Sequence, residues 1–176
     1  KIYLSLLLLG GAPFPVQAGI KEDSAAISSG KITSEALVRR YLIRIDRLDV
    51  NGPKLNAIIS VNPDALAQAK ALDSELKSGK SRGPLHGVPI LLKDNIESAD
   101  LMTTSAGSLA LRDNITGRDA FFVARLRAAG AIILGKTNLS EWANIRSENS
   151  TSGWSAVGGL TKNPHALDRN ACGSSS

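Results

Sequence analysis

The sequence predicts an α/β fold in which a mixed β-sheet is covered by helices on both faces. Residues 88–92 and 131–134 are short, continuous apolar runs, which are typical of strands buried on both sides. These strand candidates alternate along the chain with segments whose apolar residues recur at helical spacing. Such alternation is the usual pattern of α/β domains. The composition, 43% hydrophobic and 21% charged, is that of an ordinary globular protein.

The first helix is predicted to begin at Thr33 or Ser34, since either side chain can accept a hydrogen bond from an unpaired N–H of the first turn. The Asn-Gly-Pro sequence at 51–53 ends it. A short strand rich in isoleucine and valine is predicted over residues 55–61. One face of the helix carries its apolar side chains, which are Leu37, Val38, Tyr41, Leu42, Ile45 and Leu48.

Asn62 is predicted to cap the second helix, with Pro63 at its first helical position, where a missing N–H costs little. Gly79 ends this helix, and a third helix is predicted over residues 119–129. From Ser147 onward Ser, Thr, Gly and Asn dominate, and no strand or helix period survives. This last part is therefore predicted to be a long loop, either functional or disordered.

Residues 1–18 predict a secretory signal peptide. A lysine precedes an apolar run over residues 2–9, and Val16 and Ala18 stand at the −3 and −1 positions of a cleavage site. The alternative is a buried N-terminal strand or helix. The run is too short to span a bilayer, so we expect an exported protein, periplasmic or secreted, with no membrane anchor in its mature form. Residues 19–176 would then be the folded part.

The charge pattern does not indicate a nucleic-acid partner, although the net charge is +5. Lysine and arginine are scattered among acids, and only 4% of residues are aromatic, whereas single-strand binders combine basic grooves with aromatic platforms. The single cysteine, Cys172, can form neither an internal disulfide nor a zinc site. His86 and His165 lack metal-ligand spacing. We therefore expect neither a metal nor another cofactor, and the oligomeric state is open.

Lys93 is the strongest candidate for chemistry because it directly follows a fully apolar strand. Its side chain could reach out to solvent, or it could act as a general base. A base near pH 7 would need its pKa lowered by roughly 3 units, about 4 kcal/mol, and apolar neighbours act in that direction. The serines at 174–176 are its natural partners, since serine and neutral lysine together can transfer acyl groups. Asp94 either orients Lys93 or caps the strand end.

Several segments, in order, resemble motifs of the amidase signature family. The resemblance runs from about residue 24 to the end of the chain, and two short stretches, SEWA at 140–143 and GWSA at 153–156, are similar to the peptide amidase branch. The segments are GPLHGVPILLKDN at 83–95, TTSAGS at 103–108, GKTNLSEWA at 135–143, NP at 163–164 and CGSSS at 172–176. Within the first, His86 is more simply explained as part of a structural turn than as a catalytic group.

The resemblance implies the N-terminal part of the amidase signature fold and a Ser–cis-Ser–Lys triad. The lysine falls on Lys93 and the bridging serine on Ser174, while Ser175 and Trp154 are expected to bind substrate. The nucleophilic serine is expected roughly two dozen residues beyond Ser174, past residue 176, so residues 1–176 by themselves are expected to be inactive. Cys172 and Ser176 replace glycines of the family pattern.

The resulting functional hypothesis is an exported amidase that hydrolyses a peptide amide or a small carboxamide through an acyl-enzyme. One alternative is the subunit that uses glutamine to amidate charged tRNA, which shares the fold but works in the cytosol. Another is a non-catalytic, amidase-like binding domain. The three differ in their requirement for a nucleophilic serine and in their partners.

Overall fold

The computed structural model describes residues 19–145 and 147–175, so the predicted signal peptide at 1–18 lies outside the described residues. The main sheet has three strands in the order β1-β3-β2. β3 pairs antiparallel with β1 and parallel with β2, so the predicted mixed sheet is confirmed. The strands of this sheet are β1 (Ile58–Val61), β2 (Pro89–Lys93) and β3 (Ile132–Thr137).

Four α-helices lie among the described residues, together with a short π-helical turn after the second. They are α1 (Ile20–Ser28), α2 (Ser34–Ile45), α3 (Ala65–Lys77) and α4 (Phe121–Ala128), and the π turn is Asp46–Val50. Thr33 rather than Ser34 caps α2, because its hydroxyl accepts a hydrogen bond from the N–H of Ala36 at 3.1 Å. The helix therefore begins at the position that the sequence predicted.

Neighbouring residues of β3 pack into different hydrophobic clusters, as strand geometry requires. Ile132 and Leu134 pack with Val38 of α2 and with α3, whereas Ile133 packs with Val123 of α4 and with β2. Burial of this kind is the main stabilising contribution to a domain. It also fixes β2, because the strand that ends at Lys93 is paired along β3.

The structure corrects the predicted start of α3. Asp64, not Asn62, precedes the helix. The amide nitrogen of Asn62 donates to the backbone oxygen of Ile133 at 2.7 Å and to Asp100 at 3.1 Å. Its side-chain oxygen accepts from the N–H of Asp64 at 2.9 Å. Asn62 therefore ties the end of β1 to the central strand, ahead of the helix rather than at its cap.

The segment after Ser147 contains regular structure that the sequence did not predict. Two short antiparallel hairpins form there, each closed by a turn of only a few residues. Two 3₁₀ turns precede the hairpins, one in the chain between β2 and β3 and the other after β3. The hairpin strands are β4 (Trp154–Ser155), β5 (Gly159–Leu160), β6 (Lys162–Asn163) and β7 (Ala166–Asn170), and the 3₁₀ turns are Leu109–Leu111 and Glu141–Asn144.

Candidate active site

Lys93 and Ser174 meet at the end of β2. The Lys93 ammonium donates a hydrogen bond to the Ser174 hydroxyl, with 3.2 Å between Nζ and Oγ, although the residues are 81 positions apart. Lys93 is half-buried, and this burial lowers the pKa of its amine below the ordinary value. The contact brings together the two residues that the sequence nominated, and their catalytic roles stay a prediction.

The backbone at Ser174 differs from the triad that the resemblance implies. All peptide bonds among residues 19–145 and 147–175 are trans, whereas the bridging serine of the family pattern has a cis bond. A cis bond before a residue other than proline costs about 2.5–4 kcal/mol, so the trans form is favoured unless surrounding contacts oppose it.

Ser140 holds the segment that carries Ser174. Its buried hydroxyl donates to the backbone oxygen of Gly173 at 2.9 Å and accepts from the N–H of Gly153 at 2.8 Å. The serine lies three residues after β3, so it connects the sheet to the residue next to Ser174. The sequence placed Ser140 inside a motif but did not identify this contact, because both of its partners lie in the irregular C-terminal part.

Asp94 follows Lys93 but is fully buried on the other side of the strand end. Its carboxylate accepts hydrogen bonds from the N–H of Ser105, at 3.1 Å, and from the Ser105 hydroxyl. Its own N–H donates to Thr137, and its backbone oxygen accepts from Ala106, each at 3.1 Å. Burial raises the pKa of the Asp94 carboxyl, an effect that the Ser105 hydrogen bonds oppose. Asp94 thus fixes the backbone at the end of β2.

Lys136 was missed at the sequence level. It lies within β3, opposite Leu92, and its side chain is fully buried. The ammonium donates to the backbone oxygen of Ile96 at 2.6 Å and to the Thr104 hydroxyl at 2.8 Å. Burial lowers the pKa of this amine, and nearby carboxylates, Asp94 first among them, act in the opposite direction. A lysine placed inside an apolar strand was the available signal.

A cavity of about 290 Å³ lies beside the residues that follow Ser140. Trp154, which is 45% exposed, and Trp142 line it together with Glu141. The Glu141 carboxylate accepts from the N–H of Ala156 at 2.8 Å and so secures one wall. Ser175 is exposed next to Ser174. Trp154 therefore lines a cavity, and its role in substrate binding stays a prediction.

The backbone of the cavity wall is strained. Trp142, Ala143 and Asn144 have φ values of 50°, 55° and 65°, in the left-handed region. This conformation costs about 1–2 kcal/mol for Trp142 and for Ala143, whereas asparagine tolerates it better. The N–H of Trp142 donates to Ala106 at 3.0 Å, and the N–H of Ala143 to Ser140 at 2.7 Å. These bonds help to hold a conformation that is more often retained at functional sites than elsewhere.

His86 is held in a turn by hydrogen bonds that do not involve Lys93 or Ser174. His86 lies in the turn before β2, where Nδ1 accepts from the N–H of Arg82 at 3.1 Å and Nε2 lies 2.9 Å from the backbone oxygen of Leu72. Cys172 is exposed and free.

No cluster of three or more potential metal ligands occurs within 19–145 and 147–175. Within the same ranges, no helix combines the length and the apolar character needed to cross a bilayer.

Comparison with known proteins identifies relatives of this chain. A family model described as Amidase matches residues 36–176. The structure of native peptide amidase from Stenotrophomonas maltophilia superimposes with a TM-score of 0.89 at 52% identity, covering 93% of this chain and 33% of that one. A probable amidase of Arabidopsis thaliana is 48% identical over 162 residues, which are 91% of this chain and 31% of the relative.

A glutamyl-tRNA(Gln) amidotransferase subunit of Bdellovibrio bacteriovorus is more distant, at 38% identity over 158 residues, or 90% of this chain and 30% of the relative. The chain thus spans about a third of the length of these relatives. The family match covers most of the chain, and the structural similarity extends over nearly all of it. On these grounds the chain belongs to the amidase signature family.

Proposed function

We propose that the protein hydrolyses the C–N bond of a carboxamide, with Lys93 as general base and Ser174 as the group that relays the proton. The observation that carries the proposal is the 3.2 Å contact between Lys93 Nζ and Ser174 Oγ. Desolvation supports it, because a lysine with a lowered pKa is neutral in a larger fraction of molecules. Family membership supplies the reaction class.

The proposed reaction uses the ability of a hydroxyl both to donate and to accept a hydrogen bond. Neutral Lys93 accepts the proton of Ser174 Oγ, and Ser174 takes a proton from a nucleophilic serine supplied by chain that follows residue 176. That serine forms an ester with the substrate carbonyl, and the C–N bond breaks. The departing nitrogen receives the proton and leaves as ammonia or an amine. Water then hydrolyses the ester to the acid and restores the serine.

We further propose that the cavity beside Ser140 binds the substrate. Its volume, about 290 Å³, is close to the lower end for ligand pockets, roughly 300 Å³. The faces of Trp142 and Trp154 suit apolar or aromatic side chains, as in a peptide amide. Ser175, exposed beside the relay serine, is available to a substrate amide. The similarity to a peptide amidase at 52% identity supports this substrate class.

The amidotransferase alternative has weaker support, since identity to that relative is 38%. It predicts glutaminase activity coupled to a charged tRNA. The binding-domain alternative predicts that no nucleophilic serine acts in the protein.

We also propose that residues 1–18 direct export, and fractionation of cells that make the intact and the truncated precursor would test this. Retention of both in the cytosol would contradict it.

The decisive test of the enzyme proposal is Lys93→Ala in the protein extended to the length of its relatives. We expect ammonia release from a peptide amide to fall by about 10²–10⁴-fold, the usual contribution of a general base. In the unmodified enzyme kcat/KM should fall as the pH drops through the pKa of Lys93, which burial holds below its ordinary value.

Lys162→Ala is the matched control. Lys162 is also half-buried, and its ammonium donates to the backbone oxygen of Pro53 at 3.2 Å rather than to Ser174. We expect the control to retain its activity, and both variants to keep the far-ultraviolet circular dichroism of the parent. Near-normal turnover by a folded Lys93→Ala variant would refute the assignment of Lys93 as base.

A further inference from the structure

Lys136 is a charged side chain in the interior of the molecule. It lies in the central strand β3, and none of its surface is exposed. Lysine is almost never fully buried unless it has partners, because transferring an ammonium from water is costly. A purely structural strand would be served at lower cost by an apolar residue of similar length. The contacts of the ammonium group should therefore indicate what it does.

Both recorded partners of the Lys136 ammonium belong to the chain that follows β2. One is the backbone oxygen of Ile96 at 2.6 Å, and the other is the Thr104 hydroxyl at 2.8 Å. The ammonium thus joins two points of one loop, eight residues apart. Nearby carboxylates in the same region, Asp94 and Asp100, favour its charged form. The loop is therefore attached to the centre of the sheet by a charge-assisted contact.

The same loop begins at Lys93. The N–H of Ile96 donates to the backbone oxygen of Lys93 at 2.9 Å, which closes a tight turn over residues 93–96. Lys136 holds the far end of that turn through the oxygen of Ile96. Asp94, inside the turn, is held by Ser105, the neighbour of the Thr104 that Lys136 also contacts. Hence every connection from Lys136 converges on the backbone that carries Lys93.

We propose that Lys136 is a positioning residue for Lys93, which fixes the turn over residues 93–96 and so the direction from which the Lys93 amine approaches Ser174. The inference rests on the proposed amidase function. Lys136 acts indirectly, since its hydrogen bonds go to the backbone oxygen of Ile96 and the Thr104 hydroxyl and not to the reacting groups. It is thus distinct from the base itself.

The test compares Lys136→Met with the parent in the protein extended to the length of its relatives. Methionine keeps the unbranched apolar stem and removes the ammonium. We expect kcat per active site to fall tenfold or more while KM changes little, because the base is displaced and the substrate cavity is not. A loosened turn also lets water reach Lys93, so the acidic limb of kcat/KM should move to higher pH. A merely structural role would lower stability without moving that limb.

A second readout requires no turnover. Competitive acetylation with isotopic acetic anhydride, followed across pH by mass spectrometry of the Lys93 peptide, measures the titration midpoint of this amine directly. In Lys136→Met the midpoint should rise by about half a pH unit or more as solvation of Lys93 increases. The readout stays informative if the protein proves not to be an amidase, because the Lys93→Ala assay tests that question separately.

Thr104→Val provides a variant of nearly unchanged volume in case Lys136→Met does not fold. It removes one acceptor of the ammonium and should produce the same changes in a smaller amount. Lys162→Met, an equivalent substitution away from the turn, should leave kcat, the pH profile and the Lys93 midpoint unchanged. An unaltered midpoint and an unaltered kcat in folded Lys136→Met would overturn the proposal. If only Thr104→Val folds, the same result in that variant would overturn it.

Discussion

Gly87 stands at the point where the chain enters β2, and replacing it with alanine should be strongly destabilising. Its φ is +77°, in the left-handed region that glycine tolerates. A Cβ built there would lie 1.8 Å from the Oγ and 2.8 Å from the Cβ of Ser34, the first residue of α2. The N–H of Gly87 also donates to Gly130 at 2.8 Å, so the backbone has little freedom to move away.

Two contributions determine the magnitude. An L-residue in the left-handed region costs about 1–2 kcal/mol. Relieving the overlap with Ser34 requires a shift of packed atoms, which typically costs about 1–3 kcal/mol. Gly87→Ala should therefore lower the free energy of unfolding by about 2–5 kcal/mol. Only the overlap contribution depends on Ser34. The Ser34 hydroxyl has no hydrogen-bond partner in the part of the chain that the structure describes.

A double-mutant cycle with Ser34→Gly separates the two contributions. Urea unfolding of the parent, both single variants and the double variant gives the coupling energy. We expect the double variant to recover about 1–3 kcal/mol of the loss and to retain the cost of the left-handed backbone. Additive effects of the two substitutions would refute the steric part of the reasoning. A fully stable Gly87→Ala would refute both parts.

Two further predictions concern stability. Arg127 pairs with Asp100 at 2.8 Å and Asp119 at 2.9 Å, and both carboxylates are largely buried, so Arg127→Met should cost about 3 kcal/mol in urea unfolding by leaving them unpaired. Burial, and then a hydrogen bond to Asp23, raises the pKa of Tyr41 to about 12. Because folding favours the neutral phenol, its stabilising effect is complete below about pH 10, the ordinary value, and is lost as the pH rises towards 12.

The Arg127 and Tyr41 predictions each have a control. Arg118 pairs with Glu97 at the surface, so Arg118→Met should change stability far less than Arg127→Met does. For the tyrosine, unfolding of parent and Tyr41→Phe is compared between pH 9.5 and 11.5, where lysines titrate in both proteins. The parent should lose more stability than the variant over this interval. Equal losses would contradict the Tyr41 prediction, and a loss at Arg127 no greater than at Arg118 would contradict the buried pair.

Local patterns predicted the elements whose partners are close in sequence. Thr33 was a sound helix cap because its acceptor and the N–H that it binds are three residues apart. Asn62 was assigned wrongly as a cap because its strongest partner, the oxygen of Ile133, is 71 residues away. The hairpins after Ser147 were missed, since three of their four strands have only two residues and are too short to show a period.

In the candidate site, too, the sequence predicted some features and missed those that depend on distant parts of the chain. Motif order singled out Lys93 and Ser174 and therefore anticipated a contact across 81 residues. Lys136 lay in one of the same motifs, and its place in an apolar strand was a signal of burial, but the sequence did not show which groups surround it. Its burial depends on strands β1 and β2 lying on either side of it. Pairing of this kind cannot be derived from spacing in one chain.

The strand order β1-β3-β2 has a consequence for how the chain folds during its synthesis. Of the three strands of the main sheet, β3 leaves the ribosome last, and neither neighbouring strand has its partner before then. At about 5–20 residues per second, the roughly 40 residues between β2 and β3 take about 2–8 s to be made. Helices α2 and α3, which share a hydrophobic cluster, can associate during that time. The apolar strand that ends in Lys93 must wait, so we expect it to be the segment of the nascent chain most exposed to chaperones and to misassembly.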